Sequence, residues 1–317
     1  MALTLLEMCA GAGGQAIGLE RAGFSHEGLI EIDKDACETL RMNRPKWQVH
    51  EADLETFDGR RFEGIDLLAG GLPCPPFSVA GRQLGKKDER NLFPAAMRLV
   101  GETRPRAVMI ENVRGILGAP FETYRRYIRG QMTKLGYVCE WKLICASDFG
   151  VSQVRPRAVF VAIQKDRWED FSWPAEHEGA PLTVGRCLFD LMSERKWRGA
   201  KAWREGADGI APAIVGGSKK HGGPDLGPTR AKEAWAALGV NGHLVAEDPP
   251  ERDFTGLPIL TVKMVARLQG FPDAWQISGC RTQAYRQVGN AFPPPVAHAV
   301  AAGIAACLAP RRLAKVG

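Results

Sequence analysis

The first half of the chain alternates short apolar runs with segments whose apolar residues recur at helical spacing. This alternation is typical of βαβ units, so it predicts an α/β fold around a mostly parallel, doubly wound sheet. The predicted strands span residues 3–8, 27–32, 48–50, 65–69, 107–110, 137–145 and 158–163. The predicted helices between them span residues 15–22, 36–42, 92–103 and 122–135.

The pattern changes after about residue 173. Residues 176–258, here called the middle lobe, are rich in Gly and Pro and lack sustained periodicity, which predicts a separate, loop-rich unit. Between residues 195 and 232, nine Lys and Arg stand against three acidic residues, with Trp197, Trp203 and Trp235 interleaved. A solvated irregular lobe would have the same composition. Helical spacing resumes near residue 260, and residues 294–308 predict a long apolar helix that packs back onto the sheet.

Composition and charge narrow the class of protein. Hydrophobic residues make up 45% of the 317 residues, which is enough for a substantial core. The net charge of +6 favours a polyanionic partner, although enzymes without one can carry a similar excess. Eight cysteines form no Cys-x-x-Cys pair and no zinc-ligand spacing, so we expect reduced thiols and no metal. With no signal peptide and no bilayer-length apolar stretch, we expect an intracellular protein.

A glycine-rich turn, Cys9-Ala-Gly-Ala-Gly-Gly14, follows the first strand and opens a helix. Glycines there let the backbone approach a ligand at a helix N-terminus, but the spacing is not that of the dinucleotide fingerprint. Glu31 ends the second strand, where an acidic residue commonly binds ribose hydroxyls, and Asp53 follows the third strand. Together they suggest an adenosine-containing cofactor. Either carboxylate alone is equally consistent with a helix N-cap or a solvated side chain.

A second group of residues carries reactive chemistry. Cys74 lies in a proline-rich loop at the carboxyl end of the fourth strand, where open α/β sheets place active sites. Glu111 ends the fifth strand, and Arg155 and Arg157, two residues apart, are expected to point to the same side. A cysteine, a carboxylate and two arginines suit attack on a polarised ring. The alternatives are a buried structural cysteine and two arginines that are exposed or contact phosphates.

These motifs stand in the order found in one family. They are Gly11–Gly14, Pro73-Cys74, Glu111-Asn-Val113, Gln153-x-Arg155-x-Arg157, Arg267-Leu-Gln-Gly-Phe-Pro-Asp273 and Gly289-Asn290. The chain resembles the cytosine-C5 DNA methyltransferases over roughly residues 3–165 and 260–308. The resemblance implies a Rossmann-like, S-adenosylmethionine-dependent catalytic domain of residues 1–174 and 286–317. It implies a smaller target-recognition domain with a hinge over residues 175–285.

The resemblance also implies a mechanism. Cys74 would attack C6 of a cytosine flipped out of duplex DNA, and Glu111 would stabilise the proton at N3. Arg157, and more indirectly Arg155, would hold the base through O2 and orient the carboxylate. The methyl group would come from S-adenosylmethionine, leaving S-adenosylhomocysteine, and no metal would be needed.

The resemblance assigns binding residues as well. Glu31 would bind ribose, Ile32 would pack on adenine, and Asp53 would meet the adenine amino group. The full set expected around the cofactor is Cys9, Ala10, Gly11, Gly13, Gly14, Glu31, Ile32, Asp53, Leu54, Pro73 and Asn290. The candidate DNA contacts are Ser78, Lys86, Lys87, Arg90, Lys219, Lys220, His221, Thr229 and Arg230.

Two positions depart from the family pattern. Cys9 stands where the family often has Phe, so affinity for the donor is expected to be lower. Pro75 stands where Gln is common, which puts in doubt a side-chain contact there but not the chemistry of Cys74.

The expected partners are double-stranded DNA and a cognate restriction endonuclease or defence system, with no membrane. We expect a monomer, associated with the nucleoid.

A transfer-RNA cytosine-C5 methyltransferase is the nearest alternative, but its typical Cys-Phe-Thr tripeptide is missing from the sequence. A catalytically inactive DNA-binding relative is disfavoured because Cys74, Glu111, Arg155 and Arg157 are all present. A nicotinamide-dependent oxidoreductase is disfavoured by the glycine spacing. The recognised bases cannot be read from the sequence.

Overall fold

A computed structural model describes residues 2–73, 91–216 and 223–310. Within these ranges, seven strands form one sheet in the order β3-β2-β1-β4-β5-β7-β6. They are β1 Leu3–Met8, β2 Phe24–Glu31, β3 Val49–Glu51, β4 Leu67–Gly71, β5 Ala107–Val113, β6 Tyr137–Cys145 and β7 Pro156–Gln164. The pairs from β3 across to β5 are parallel, whereas β7 runs antiparallel to both β5 and β6. The predicted α/β fold with a mostly parallel sheet is confirmed.

Ten α-helices occur in the described ranges, in addition to short 3₁₀ turns. They are α1 Gly14–Arg21, α2 Lys34–Asn43, α3 Phe93–Thr103, α4 Glu122–Lys134, α5 Val184–Met192, α6 Ala200–Gly206, α7 Thr229–Ala237, α8 Val262–Leu268, α9 Arg281–Asn290 and α10 Pro294–Leu308.

Alternate side chains of the strands pack against helices on opposite faces of the sheet, as the period of two requires. Leu6 of β1 belongs to a buried cluster with residues of α3 and α4. Leu5, its neighbour, belongs to a second buried cluster with residues of α10. This arrangement covers both faces of the sheet and leaves the carboxyl ends of β1, β4 and β5 at a common rim.

Helix α10 packs on the sheet as predicted, through Val296, Val300 and Ile304. It lies so close to α1 that a Cβ atom on Gly18 would be 2.5 Å from the Cβ of Ala297. The stretch Arg281–Leu308 is apolar enough to resemble a membrane span, with a mean hydropathy of 1.5 in its most apolar window. However, 56% of that window is buried inside the protein, so the apolar surface is used for core packing.

The middle lobe contains α5, α6 and α7, which the sequence pattern did not predict. Its tryptophans do not lie among the basic residues on a solvated surface, because Trp197, Trp203 and Trp235 are 7%, 8% and 0% exposed. The indole N–H groups of Trp197 and Trp203 donate to the carbonyls of Phe254 and Gly239. The alternative of a solvated irregular lobe is therefore wrong. One continuous hydrophobic cluster joins these tryptophans to residues of α1, α8 and α9.

Candidate active site

The strands β4 and β5 end side by side at the rim of the sheet. Gly71 pairs with Glu111 in parallel register, and a Cβ atom on Gly71 would be 3.3 Å from Oε2 of Glu111. The chain continues through Leu72 to the half-buried Pro73. Cys74 follows in the sequence but lies outside the described residues, as do Pro75, Ser78, Lys86, Lys87 and Arg90. The expected approach of Cys74 to Glu111 therefore stays a prediction.

Glu111 forms a buried ion pair with Arg157. On the neighbouring antiparallel strand β7, Val159 lies opposite Glu111, so Arg157 is its diagonal neighbour on the same face. Nε of Arg157 lies 2.8 Å from Oε1 of Glu111, and the two side chains are 15% and 6% exposed. Burial raises the pKa of the Glu111 carboxyl above its usual range, while the charges of Arg157 and Arg155 oppose that rise. The carboxyl thus holds its proton to a higher pH than an exposed glutamate.

Asn112, the next residue on β5, fixes the start of the cysteine loop. Its side chain is fully buried, and its Nδ2 donates to the carbonyl of Leu72 over 3.3 Å. Its Oδ1 accepts from the amide of Val113. Because Leu72 lies two residues before Cys74, Asn112 holds the backbone from which the loop departs. Asn112 belongs to the Glu111-Asn-Val113 motif, but no sequence pattern indicates this role for it.

Arg155 lies at a different place from Arg157, because β7 begins at Pro156 and the pleat does not extend back to Arg155. Its guanidinium is 1% exposed. It donates to the carbonyls of Ile214 (2.6 Å), Gly289 (2.9 Å) and Ala291 (3.1 Å). The spacing predicts that both arginines point to the same side. Arg157 forms the ion pair with Glu111, whereas Arg155 binds backbone of the lobe and of α9.

The glycine-rich turn lies at the carboxyl end of β1, with Cys9, Gly11 and Gly13 at positive φ. A Cβ atom on Gly11 would meet nothing within 4 Å, so the backbone there faces open space. A Cβ on Gly14 would instead be 2.5 Å from the carbonyl oxygen of Phe292. One on Gly13 would be 2.8 Å from the ring of Trp275. Only Gly11 thus leaves room for a ligand, while Gly13 and Gly14 allow close packing within the protein.

The Glu31 carboxylate binds three backbone amides. It accepts from Gly11, Ile32 and Asp33, each over 2.8 Å, and so ties the glycine turn to the end of β2. The N-cap of α2 is not Glu31 but Asp33, whose Oδ1 accepts from the amides of Asp35 and Ala36. The side chain of Ile32 is 67% exposed, an unusual position for a large apolar group beside a carboxylate. The arrangement presents an acidic group and an apolar surface side by side.

Asp53 and Cys9 complete this rim. Asp53 is exposed and its Oδ1 accepts from the amide of Glu55 (2.9 Å), whereas Leu54 beside it is buried. Burial, with the negative charges of Glu31 and Asp53, raises the pKa of the Cys9 thiol, so Cys9 stays neutral.

The remaining predicted residues lie around the same rim or in the lobe. Asn290 is the exposed last residue of α9, and Gly289 before it packs so closely that its Cβ would be 2.5 Å from Cα of Gly216. Thr229 and Arg230 are exposed in the first turn of α7. Lys219, Lys220 and His221 lie outside the described residues.

Trp275 is a residue of this region that the sequence analysis missed. Its indole N–H donates to the carbonyl of Ala12, inside the glycine turn, over 2.9 Å. Its ring also packs against Gly13. It follows the matched segment that ends at Asp273 by two residues, which is the signal that would have indicated it.

Comparison with known proteins identifies the family of the chain. A family model described as C-5 cytosine-specific DNA methylase matches residues 3–306. The chain is 55% identical to the type II methyltransferase M.NgoMIV of Neisseria gonorrhoeae, covering 95% of this chain and 96% of that protein. It is 52% identical to the type II methyltransferase M.NaeI of Lentzea aerocolonigenes, covering 96% and 75%.

Two solved structures share the fold. The methyltransferase EhMeth of Entamoeba histolytica matches with a TM-score of 0.69 at 16% identity, covering 96% of this chain and 98% of that one. A mutant of Spodoptera frugiperda DNMT2 matches with a TM-score of 0.64 at 18% identity, covering 94% and 98%. The chain belongs to the C-5 cytosine-specific DNA methylase family and is a DNA (cytosine-5)-methyltransferase.

Proposed function

We propose that methyl transfer proceeds through a covalent bond between Cys74 and C6 of a cytosine flipped out of duplex DNA. The observation that carries this proposal is the buried Glu111–Arg157 pair, which faces the end of β4 three residues before Cys74. Attack by the Cys74 thiolate on C6 moves the C5–C6 π electrons to C5. After C5 is methylated, a base removes the C5 proton, the C5–C6 double bond re-forms and Cys74 leaves.

Glu111 acts at N3 of the ring. Because burial raises its pKa, the carboxyl can present a proton to N3 and stabilise the charge that develops when Cys74 attacks. Arg157 holds the carboxyl in one orientation and has further N–H groups for O2 of the base. Asn112 fixes the backbone that leads into the cysteine loop.

The residues at the end of β1 and β2 fit S-adenosylmethionine. The open backbone at Gly11, the exposed Ile32 and the carboxylates of Glu31 and Asp53 offer an approach surface, an apolar face for adenine and acceptors for ribose and the adenine amino group. When bound, this cofactor supplies an electrophilic sulfonium methyl group. Ala10, Leu54, Pro73 and Asn290 are the remaining residues that we assign to its site.

The middle lobe is proposed to recognise the DNA target. It presents Thr229 and Arg230 at an exposed helix start, and its sequence carries an excess of basic residues, including Lys219, Lys220 and His221. Since the relatives named above are type II methyltransferases, we propose that this chain modifies the site of a cognate restriction endonuclease.

Tritiated methyl transfer tests the mechanism and the substrate class together. We expect transfer to duplex DNA and none to transfer RNA, and loss of transfer in Cys74→Ala with DNA binding retained. The exposed Cys280 provides the matched control, since Cys280→Ala should retain full activity. Full activity of Cys74→Ala would overturn the mechanism, and preferential methylation of transfer RNA would overturn the substrate. Bisulfite sequencing of DNA from an expressing host would then identify the recognised bases.

A further inference from the structure

A fully buried polar cluster joins the catalytic sheet to the middle lobe. Gln153, Arg155 and Gln269 are 0%, 1% and 0% exposed, and we call these three residues the polar hub. Nε2 of Gln153 donates to Oε1 of Gln269 (2.6 Å) and to the carbonyl of Leu268 (3.3 Å). Gln269 in turn donates to the carbonyl of Ala291 (2.5 Å). The hub thus links the approach to β7 with the end of α8 and the end of α9.

The hub binds both backbone groups of one residue in the middle lobe. Oε1 of Gln153 accepts from the amide of Ile214 (2.8 Å), and Nη1 of Arg155 donates to the carbonyl of the same residue (2.6 Å). Arg155 also donates to the carbonyls of Gly289 and Ala291. One guanidinium therefore ties the lobe to the end of α9.

Further backbone contacts fix the rest of this lobe segment, residues 211–216. Ala211 exchanges backbone hydrogen bonds with Ser152 (3.0 Å) and Val154 (2.8 Å). The hydroxyl of Tyr285 donates to the carbonyl of Val215 (3.0 Å). Gly216 lies directly against Gly289, since a Cβ on Gly289 would be 2.5 Å from Cα of Gly216. All of these contacts are made to the backbone of the segment, and the side chains of Ala211 and Ile214 are buried in the hydrophobic cluster of the lobe as well.

The segment also has a defined place relative to the chemistry. Gln153 and Arg155 lie two to four residues before Arg157, which forms the ion pair with Glu111. In the sequence, the segment ends three residues before Lys219. The short stretch from Gln153 to Arg157 therefore contacts the lobe at one end and the catalytic carboxylate at the other.

We infer that Gln153 and Arg155 are positioning residues that set the register between the target-recognition lobe and the Glu111–Arg157 pair. This inference rests on the proposed role of the middle lobe in binding DNA. Gln153 and Arg155, which lie just before Arg157, hold the backbone of the lobe. A lobe held in this way presents the duplex to the Glu111 carboxylate in one register. A small displacement at such a junction reduces both affinity and discrimination, because the flipped base must meet groups fixed on β5 and β7.

The test compares Gln153→Leu with the matched variant Gln164→Leu at the other end of β7, where Nε2 of Gln164 donates to Pro105 over 3.4 Å. We expect Gln153→Leu to raise KM for cognate duplex about tenfold and to reduce preference over sites altered by one base pair. Affinity for S-adenosylmethionine should change less than about twofold, because Gln153 does not contact the candidate cofactor residues. Hydrogen exchange at the Ile214 amide should rise in Gln153→Leu and not in Gln164→Leu.

Arg155→Lys is the second variant. Its single nitrogen does not reproduce the two separate nitrogens, Nη1 and Nη2, with which Arg155 reaches the three carbonyls. It keeps the positive charge and provides a second test should Gln153→Leu fold poorly. Arg230→Ala, in the exposed start of α7, is measured in parallel as a reference for DNA contact by the lobe. The inference is overturned if Gln153→Leu and Arg155→Lys leave KM, discrimination and hydrogen exchange unchanged while Arg230→Ala weakens DNA binding. If Arg230→Ala and a Lys219/Lys220 double alanine variant also leave DNA affinity unchanged, the proposed recognition role of the lobe falls as well.

Discussion

Replacing Arg157 by Ala should affect stability and catalysis in separable ways. Nε of Arg157 lies 2.8 Å from Glu111 Oε1, and with 15% and 6% exposure the two side chains are largely shielded from water. Removing one partner of a buried pair leaves an uncompensated charge, which typically costs about 3–5 kcal/mol of the free energy of unfolding. Losing a preorganised charge-assisted contact to the reacting base should lower kcat about 100-fold or more.

The dependence on pH follows from the same contact. The charge of Arg157 lowers the pKa of Glu111 against the effect of burial, so Arg157→Ala should raise that pKa further. A carboxyl whose pKa is higher in the folded than in the unfolded protein binds its proton more tightly when folded. Stability is then lost as the pH rises from the unfolded pKa, near 4.3, through the folded pKa. The destabilisation by Arg157→Ala should accordingly be smaller at pH 5 than at pH 8.

Urea denaturation at the two pH values measures the stability, and single-turnover methylation of duplex DNA measures the chemistry. The double variant Arg157→Ala with Glu111→Gln provides the control, because a neutral amide removes the uncompensated charge. We expect it to regain at least half of the lost stability at pH 8 and none of the activity. If Arg157→Ala unfolds at the same urea concentration as the wild type and its kcat lies within about twofold of the wild-type value, the Glu111–Arg157 pair does not have the role assigned to it.

Three further substitutions probe the glycine turn, the cofactor rim and the lobe. Gly14→Ala should lower the free energy of unfolding by about 1–3 kcal/mol because its Cβ would be 2.5 Å from the Phe292 carbonyl. Gly101 lies in α3, where an added Cβ would meet nothing within 4 Å, so Gly101→Ala should raise the free energy of unfolding by about 0.5–1 kcal/mol in the same urea titration. Equal effects of Gly14→Ala and Gly101→Ala would contradict the packing assigned to Gly14. Ile32→Ala should weaken S-adenosylmethionine binding about fivefold in calorimetry without changing stability, whereas unchanged affinity would remove Ile32 from the site. Trp235→Ala, at a fully buried position, should cost about 3–5 kcal/mol by urea denaturation, and a loss below about 1 kcal/mol would contradict a packed lobe.

The sheet and the residues at its rim were largely predictable from the sequence. Buried parallel strands give continuous apolar runs, and β1 was predicted on this basis with the bounds that the structure shows. The antiparallel strand β6 and the helix α10 were also predicted with the observed bounds. Glu111 could be placed at the rim because it ends such a run. Its contact with Arg157 was implied by the family resemblance, in which Arg157 orients the carboxylate, and the ion pair agrees with that role.

Other parts of the molecule could not be read from the pattern. The antiparallel direction of β7 was missed, because an apolar strand between two neighbours has the same composition in either direction. Helices α5 to α7 have only seven to nine residues, too few for helical periodicity to stand out among Gly and Pro. The place of Arg155 depends on carbonyls of Ile214 and Gly289, which are 59 and 134 residues away in the sequence. No local pattern indicates contacts at such separation.

The proposed mechanism depends on a covalent bond between Cys74 and the cytosine during methyl transfer. Duplex DNA that carries 5-fluorocytosine at the methylated position tests it most directly, because fluorine prevents removal of a proton from C5 after methylation. In the presence of S-adenosylmethionine, we predict a denaturant-resistant protein–DNA adduct that mass spectrometry maps to the peptide with Cys74 and that Cys74→Ala does not form. Methylation of the unmodified duplex without any such adduct on the fluorinated one, or an adduct on another residue, would contradict the account.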